Sequence, residues 1–155
     1  MINEDYVSFK TAQLLKEKGF DEAVLITDWW YDAEWQMHKR GNYSYSGAPV
    51  YDKETCFNCP TLQMAMKWVQ ETFNIIIIPN YEYECDSTPW CYKIFKLGEN
   101  GKPERVAVKG VSYDKDDNPT EHIVGYRDYE RSYKDYATKE EAIEEGIKYC
   151  LENLI

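Results

Sequence analysis

The segment of residues 60–79 most constrains the fold, because its hydrophobic pattern changes from helical to extended at a single residue. Apolar side chains first recur at helical spacing, at Leu62, Ala65, Met66, Val69 and Phe73. The isoleucines at residues 75–78 then follow Asn74 without interruption and are typical of a buried strand. The segment therefore predicts a helix that leads directly into a strand covered on both faces.

Capping residues place one helix before this segment and another after it. Ser8 is a predicted N-cap, and Gly19 can end the first helix in the left-handed region. Thr138 and Glu141 have the spacing of a capping box at the start of the last helix. The predicted buried stripe of that helix consists of Ile143, Ile147, Cys150, Leu151 and Leu154.

Two segments between the first and the central helix have the patterns of strands. Residues 23–27 form a short apolar run. Residues 30–38 alternate between apolar and polar side chains, which places Tyr31 and Trp35 together on the expected inward face. Both segments are therefore predicted to be extended.

Turn residues predict two hairpins. Gly41 and Asn42 would connect the alternating segment to a returning strand at residues 43–45. Asn100 and Gly101 suit the positive φ angles of a tight turn between strands at residues 90–97 and 105–111.

A last short strand is predicted at residues 123–126. The order of elements is then α-β-β-α-β-β-β-α, which favours an α+β fold over a doubly wound α/β fold. We predict a single domain over residues 1–155, in which a mostly antiparallel sheet of about five strands packs with three helices.

The chain is acidic, with 28 Asp and Glu residues against 18 Lys and Arg residues and a net charge of -10. Binding to nucleic acid depends on the neutralisation of phosphates by basic side chains. We therefore expect no direct contact with nucleic acid and, where charge serves recognition, a basic protein partner. The composition leaves a homo-oligomer open.

The sequence indicates no membrane protein. Its apolar runs are shorter than the ~20 residues that a membrane-spanning helix needs. The first residues, MINEDY, lack the basic start and the apolar stretch of a secretory signal. We therefore expect a cytoplasmic protein whose five cysteines are thiols rather than disulfides.

Cys56 and Cys59 form a Cys-x-x-Cys pattern before the central helix. A cysteine at a helix N-terminus can have a lowered thiol pKa, so a redox pair is one interpretation. With Cys85 and Cys91 the pair offers a set of zinc ligands, although the second gap is wider than is usual in zinc sites. The alternative is that these are small side chains near loops, because residues 46–59 are predicted to be irregular.

The sequence contains no complete catalytic signature. Neither a glycine-rich phosphate loop nor a nucleophile elbow is present. His38 and His122 have no serine or cysteine nucleophile beside them in a recognised motif. We therefore predict no catalytic residues and no cofactor.

Aromatic residues are the densest chemical feature of the chain. They lie within residues 29–51 and are Trp29, Trp30, Tyr31, Trp35, Tyr43, Tyr45 and Tyr51. Rigid rings supply contact area at low entropic cost, so such a cluster suits a protein partner or a stacked sugar. We predict a binding surface formed by Trp29, Trp30, Tyr43 and Tyr45. The alternative is ordinary packing of aromatic residues within a sheet.

Four segments of the sequence are familiar in combination: residues 5–21 (DYVSFKTAQLLKEKGFD), 60–68 (PTLQMAMKW), 136–142 (YATKEEA) and 148–155 (KYCLENLI). Together they resemble a family of short uncharacterised proteins of gut bacteria, often encoded in phage-like or other mobile regions. The resemblance covers all three predicted helices. It implies no known activity and no catalytic residues, but it suggests an accessory cytoplasmic protein of a mobile element.

We expect a small noncatalytic binding protein that acts through its aromatic-rich surface. Two alternatives come from other functional classes. One is a thiol redox or zinc-binding protein that uses Cys56 and Cys59. The other is an acidic mimic of DNA that occupies a nuclease or a regulator, which the charge of the chain permits.

Overall fold

A computed structural model describes residues 5–23, 27–40, 50–81, 89–106, 108–113, 119–124 and 136–155. The helices of this part are α1 (Phe9–Glu17), the short α2 (Phe20–Ala23), α3 (Leu62–Phe73) and α4 (Lys139–Asn153). The strands are β1 (Trp29–Tyr31), β2 (Met37–Lys39), β3 (Phe57–Cys59), β4 (Ile75–Tyr81), β5 (Trp90–Leu97), β6 (Pro103–Arg105), β7 (Val108–Tyr113) and β8 (Pro119–Val124). Within these ranges no helix has the length and apolar character needed to cross a bilayer.

The strands form antiparallel sheets of different size. One sheet has the order β2-β1-β3, a second has the order β4-β5-β6, and β7 pairs with β8. The helices are separate from the strands rather than alternating with parallel ones. The predicted α+β class is therefore confirmed, although its strands are divided among several sheets instead of one sheet of about five.

Local capping signals set the helix ends, as predicted. Ser8 is the N-cap of α1, where its Oγ accepts a hydrogen bond from Thr11 N at 3.4 Å. Thr138 and Glu141 form a capping box at α4, because each side chain accepts a hydrogen bond from the other residue's backbone N–H. Gly19 follows α1 with a φ of 92° in the left-handed region that favours glycine.

The change from α3 to β4 occurs at Asn74, as the sequence pattern predicts. Asn74 has a φ of 57°, and its carbonyl accepts a hydrogen bond from Leu97 N of the neighbouring strand at 2.8 Å. Ile75 and Ile77 are buried, but Ile78 is 43 % exposed. The prediction that both faces of this strand are covered is wrong, because burial alternates along β4 and leaves Ile78 exposed.

Of three other predictions of local structure, one is wrong and two concern residues that lie wholly or mainly outside the described ranges. Ala23 ends α2 and Thr27 is irregular, and residues 24–26 of the predicted strand at 23–27 lie outside the described residues. Residues 57–59 form β3, within a segment predicted to be irregular. The predicted turn at residues 41–42 and its returning strand lie outside the described residues.

Helices α1, α3 and α4 share the core with the inner face of β4 and β5. Its largest fully buried side chains include Leu15, Phe20, Val69, Ile75, Ile94, Ile147 and Leu151. The predicted stripe of α4 is buried at Ile143, Ile147, Cys150 and Leu151, and Leu154 packs at its edge. The core therefore follows the apolar stripes of the sequence.

Gly146 allows α4 to approach the sheet closely. A Cβ atom built at this position would lie 2.8 Å from Ile77 Cγ2 and 3.2 Å from Tyr92 Cγ. The first distance is shorter than van der Waals contact. The absence of a side chain at Gly146 therefore sets the distance between the last helix and β4 and β5.

We expect Gly146→Ala to lower the free energy of unfolding by ~1–3 kcal/mol, because overpacking outweighs the advantage of alanine in helices. Urea denaturation followed by circular dichroism measures this change. Gln70→Ala, at an exposed position of α3, is the control and should change the value by less than ~0.5 kcal/mol. Unchanged or increased stability of the Gly146 variant would contradict the close approach.

Candidate functional site

The most distinctive local structure is a tight turn between β1 and β2. Asp32 N donates a hydrogen bond to Gln36 O at 3.0 Å, and Trp35 N donates one to Asp32 O at 3.1 Å. Residues 30–38 are therefore a hairpin and not the single strand that their alternation predicts. The strands on either side pair Trp30 with His38 and Tyr31 with Met37.

Trp35 has a backbone conformation that is rare for a large side chain. Its φ is 68°, in the left-handed region. Three-residue hairpin loops usually place glycine at this position, after a type I turn. A residue with a Cβ atom costs ~1–2 kcal/mol there. The turn therefore holds a tryptophan where glycine would be the less strained residue.

The Asp32 side chain organises this turn. Its Oδ1 accepts hydrogen bonds from Glu34 N and Gln36 N, each at 2.9 Å, and its Oδ2 lies 2.7 Å from His38 Nε2. The hydrogen bond from His38, with further ones from the backbone, lowers the pKa of Asp32 below its ordinary value. The carboxylate is therefore stabilised in its charged form, and the turn is held by side-chain as well as backbone contacts.

Trp35 is exposed at the tip of the hairpin. It is 69 % exposed, so the prediction that it faces inward with Tyr31 is wrong. Its ring stacks on Phe9 of α1, with 5.1 Å between ring centroids, and Phe9 also contacts Phe57 of β3 edge to face at 5.1 Å. We call Phe9, Trp35 and Phe57 the Trp35 patch. Met37 lies at the exposed edge of the same hairpin.

The structure changes the predicted aromatic surface. Trp30 is 2 % exposed and packs between His38 and Tyr51, so it offers no area to a partner. Trp29 is half-buried and contacts Tyr6 edge to face. Tyr43 and Tyr45 lie outside the described residues.

Sequence reasoning missed Phe9 and Phe57, because both are distant in sequence from the aromatic cluster. It also missed the turn, although a signal for it was present. Aspartate is favoured at the first position of a type I turn, and Asp32 has that position.

Polar contacts fix the open end of the hairpin, where Arg40 follows β2. Arg40 donates hydrogen bonds from Nε to Thr27 O at 2.8 Å and from Nη2 to Asn58 Oδ1 at 2.9 Å. Its guanidinium lies over the Tyr51 ring at 4.1 Å, and Asn58 in turn donates to Asp21 Oδ1. These contacts attach the hairpin to its surroundings, so the turn is a preorganised feature.

Cys56 and Cys59 do not have the environment of a reactive pair. Cys59 belongs to β3, is fully buried, and its Sγ donates a hydrogen bond to Val7 O at 3.6 Å. Burial raises the pKa of the Cys59 thiol to about 12, which is opposite to the lowering expected at a helix N-terminus. The N-cap of α3 is Thr61 instead.

The predicted metal ligands do not form a site in the part of the chain that is described. Cys56, Cys59 and Cys91 are buried, and Cys85 lies outside the described residues. No group of three histidine, cysteine or acidic residues in the described ranges could hold a metal ion.

A groove of about 380 Å³ lies beside the start of α3. Its walls include Tyr6, Thr27, Asp28, Thr61, Met64 and Lys67. The hydroxyls of Thr27 and Thr61 already have partners, Asn58 Oδ1 and Met64 N respectively. These two hydroxyls are therefore already used in the structure of the protein itself.

Comparison with protein-family models, with curated proteins and with solved structures finds no match to this chain.

The pKa of Asp32 supplies a test of the turn. Because it is lowered in the folded state, the contribution of Asp32 to stability is present above the unfolded pKa of ~3.9 and is lost as the pH falls through the folded pKa. A carboxyl ¹³C titration by NMR should give a midpoint below ~3.9, and His38→Asn should raise it. Arg105→Gln is the control. A wild-type midpoint at or above the unfolded value would contradict the described contacts.

The burial of Cys59 supplies a second test. We expect iodoacetamide at pH 8 to leave Cys59 unmodified in the folded protein, because its thiol is buried and its pKa is raised to about 12. Peptide mass spectrometry measures the modification at each cysteine. Protein unfolded in urea is the control, in which Cys59 should react. Rapid modification of Cys59 in folded protein would restore the thiol hypothesis.

Proposed function

We propose that this chain is a small noncatalytic binding protein that contacts a protein partner through the Trp35 patch. Its resemblance to proteins of mobile regions adds the proposal of an accessory role in the cytoplasm. The observation that carries the proposal is Trp35 itself, 69 % exposed at a left-handed position in a preorganised turn. This proposal uses Trp35 in place of the surface of Trp29, Trp30, Tyr43 and Tyr45 that the sequence predicts, because Trp30 is buried.

The energetics of Trp35 support a role in recognition. Its backbone is strained, and most of its ring surface is not used in packing. Strained residues cluster at binding and active sites, and tryptophan is enriched among the residues that dominate binding energies. A side chain retained mainly for folding would be better placed in the core. A partner that covers the exposed ring of Trp35 would bury this apolar surface.

The rigidity of the turn also favours recognition. Asp32 holds the backbone of the turn, and the Phe9 ring supports one side of the Trp35 ring. A partner therefore meets a side chain whose position is already restricted. Less conformational entropy is lost on binding when the contacting residues are preorganised.

The two alternatives have less support. The thiol hypothesis needs accessible and acidic sulfurs, whereas burial raises the pKa of Cys59. A mimic of DNA needs continuous negative charge, whereas three carboxylates in the described part pair with lysines. These pairs are Lys10–Glu152, Lys67–Glu71 and Lys148–Glu145.

We expect Trp35→Gly to abolish capture of the partner without unfolding the protein. Relief of the left-handed strain offsets the loss of the ~0.5–1.5 kcal/mol stacking on Phe9, so the free energy of unfolding should change by less than ~1 kcal/mol. Affinity capture from the native host, quantified by mass spectrometry, measures the first effect, and urea denaturation measures the second.

Tyr81→Ala is the matched control, because Tyr81 is the other strongly exposed aromatic residue in the described ranges and lies on β4. It should retain the same captured proteins as the wild type. Two results would contradict the proposal. One is an unchanged set of captured proteins with Trp35→Gly, and the other is a loss of more than ~3 kcal/mol of stability, which would make Trp35 a structural residue.

A further inference from the structure

We infer that the Trp35 patch binds a cationic side chain, lysine or arginine, of a basic protein segment. This inference depends on the proposed binding function and adds the chemical class of the partner. Three observations support it: the exposed ring of Trp35, the carboxylates of its turn, and the cations that lie over other aromatic rings of the protein.

The structure repeatedly places cations over aromatic rings. The described pairs are Lys16 over Phe57 at 4.7 Å, Lys39 over Trp29 at 5.8 Å, Arg40 over Tyr51 at 4.1 Å and Arg105 over Phe95 at 5.8 Å. Trp35 is the most exposed aromatic side chain of the described part, yet none of the described cations lies over it. Tryptophan is also the best aromatic ring for this interaction.

Carboxylates make the surroundings of Trp35 suitable for a cation. Glu34 directly precedes it, is exposed, and its carboxylate makes no hydrogen bond or ion pair within the described ranges. Asp32 lies in the same turn, held by backbone N–H groups and His38. An approaching ammonium or guanidinium group would therefore meet the ring face and negative charge together.

The lysines nearest to the patch along α1 are already engaged. Lys10, beside Phe9, lies 3.7 Å from Glu152. Lys16 Nζ donates hydrogen bonds to the carbonyls of Lys53 and Cys56, each at 2.7 Å, while it covers Phe57. Lys16 thus lies over the Phe57 ring of the patch and neither lysine is described over the Trp35 ring. The net charge of -10 attracts basic partners over a longer range.

The charge also decides between kinds of occupant. A second copy of this chain would bring another acidic molecule to the patch, which repulsion disfavours. A neutral sugar would use the ring and would donate hydroxyl hydrogen bonds to a carboxylate, but it would gain nothing from the long-range attraction of a net charge of -10. A basic protein segment uses the ring and the carboxylates, so it is the occupant that the observations favour.

The test follows the indole N–H resonance of Trp35 in ¹H–¹⁵N NMR spectra of the full chain, assigned with Trp35→Phe. The probe is an acetylated peptide of alternating glycine and arginine. The matched probe is the same peptide with citrulline, which keeps the shape of arginine without its charge. We expect the arginine peptide to shift the resonance saturably and to bind at least about tenfold more tightly, because several cations contribute about two- to fivefold each.

Glu34→Gln should weaken binding of the arginine peptide about two- to fivefold, and added salt should weaken it further. Glu99→Gln is the matched control, since Glu99 is an exposed glutamate in the turn between β5 and β6, and it should leave binding unchanged. Neither substitution alters a residue of the core.

Four results would overturn the inference: equal binding of the citrulline peptide, a saturable shift with maltohexaose instead of the arginine peptide, a shift of the resonance on simple dilution, or no shift with any probe. Equal binding of citrulline, together with partner capture that requires Trp35, would reject the cationic class and keep the binding function. If the arginine peptide binds no better than the citrulline peptide and partner capture does not require Trp35, both proposals are rejected.

Discussion

The Glu144 carboxylate is the contact on which the positions of the other elements depend. It lies on α4 and accepts hydrogen bonds from Ser8 N at 2.8 Å and from Thr11 Oγ1 at 2.6 Å, so it caps the first turn of α1 from a distant helix. Beside it, Val7 O accepts a hydrogen bond from Tyr31 OH at 3.0 Å. One junction therefore joins the first helix, the last helix and the first sheet. Because Phe9 begins α1, the same junction sets the position of the Trp35 patch.

The polar groups of this junction have a structural role, although a tyrosine, a cysteine and a glutamate close together resemble a reactive site. Burial raises the pKa values of Tyr31 and Cys59, and the nearby charge of Glu144 raises both further. Both groups therefore stay protonated near neutral pH and serve as hydrogen-bond donors. Cys59, which the sequence presents as a reactive thiol, is a buried donor to Val7 O. The surface that we propose for binding consists of aromatic rings instead.

Sequence patterns predicted the features that depend on local chemistry. Ser8, Thr138 and Glu141 cap helices through contacts within one turn, so their spacing alone identifies the helix starts. Asn74 marks the end of α3 because an asparagine tolerates the left-handed conformation. The α+β class follows from the order of these elements. The aromatic cluster was also visible in the sequence, but which of its rings reach the surface was not.

Tertiary structure decided the site. The turn at Asp32 is the local part of the site, because its hydrogen bonds join residues two and four positions apart, although the alternation of residues 30–38 predicted a single strand. Phe9 meets Trp35 because α1 packs across the sheet, and Glu144 caps Ser8 although 136 residues separate them. The sequence by itself determined the helices, their ends and the fold class, since those depend on neighbours along the chain. The exposed ring, its aromatic support and the buried thiol depend on contacts between distant segments, which only the folded structure brings together.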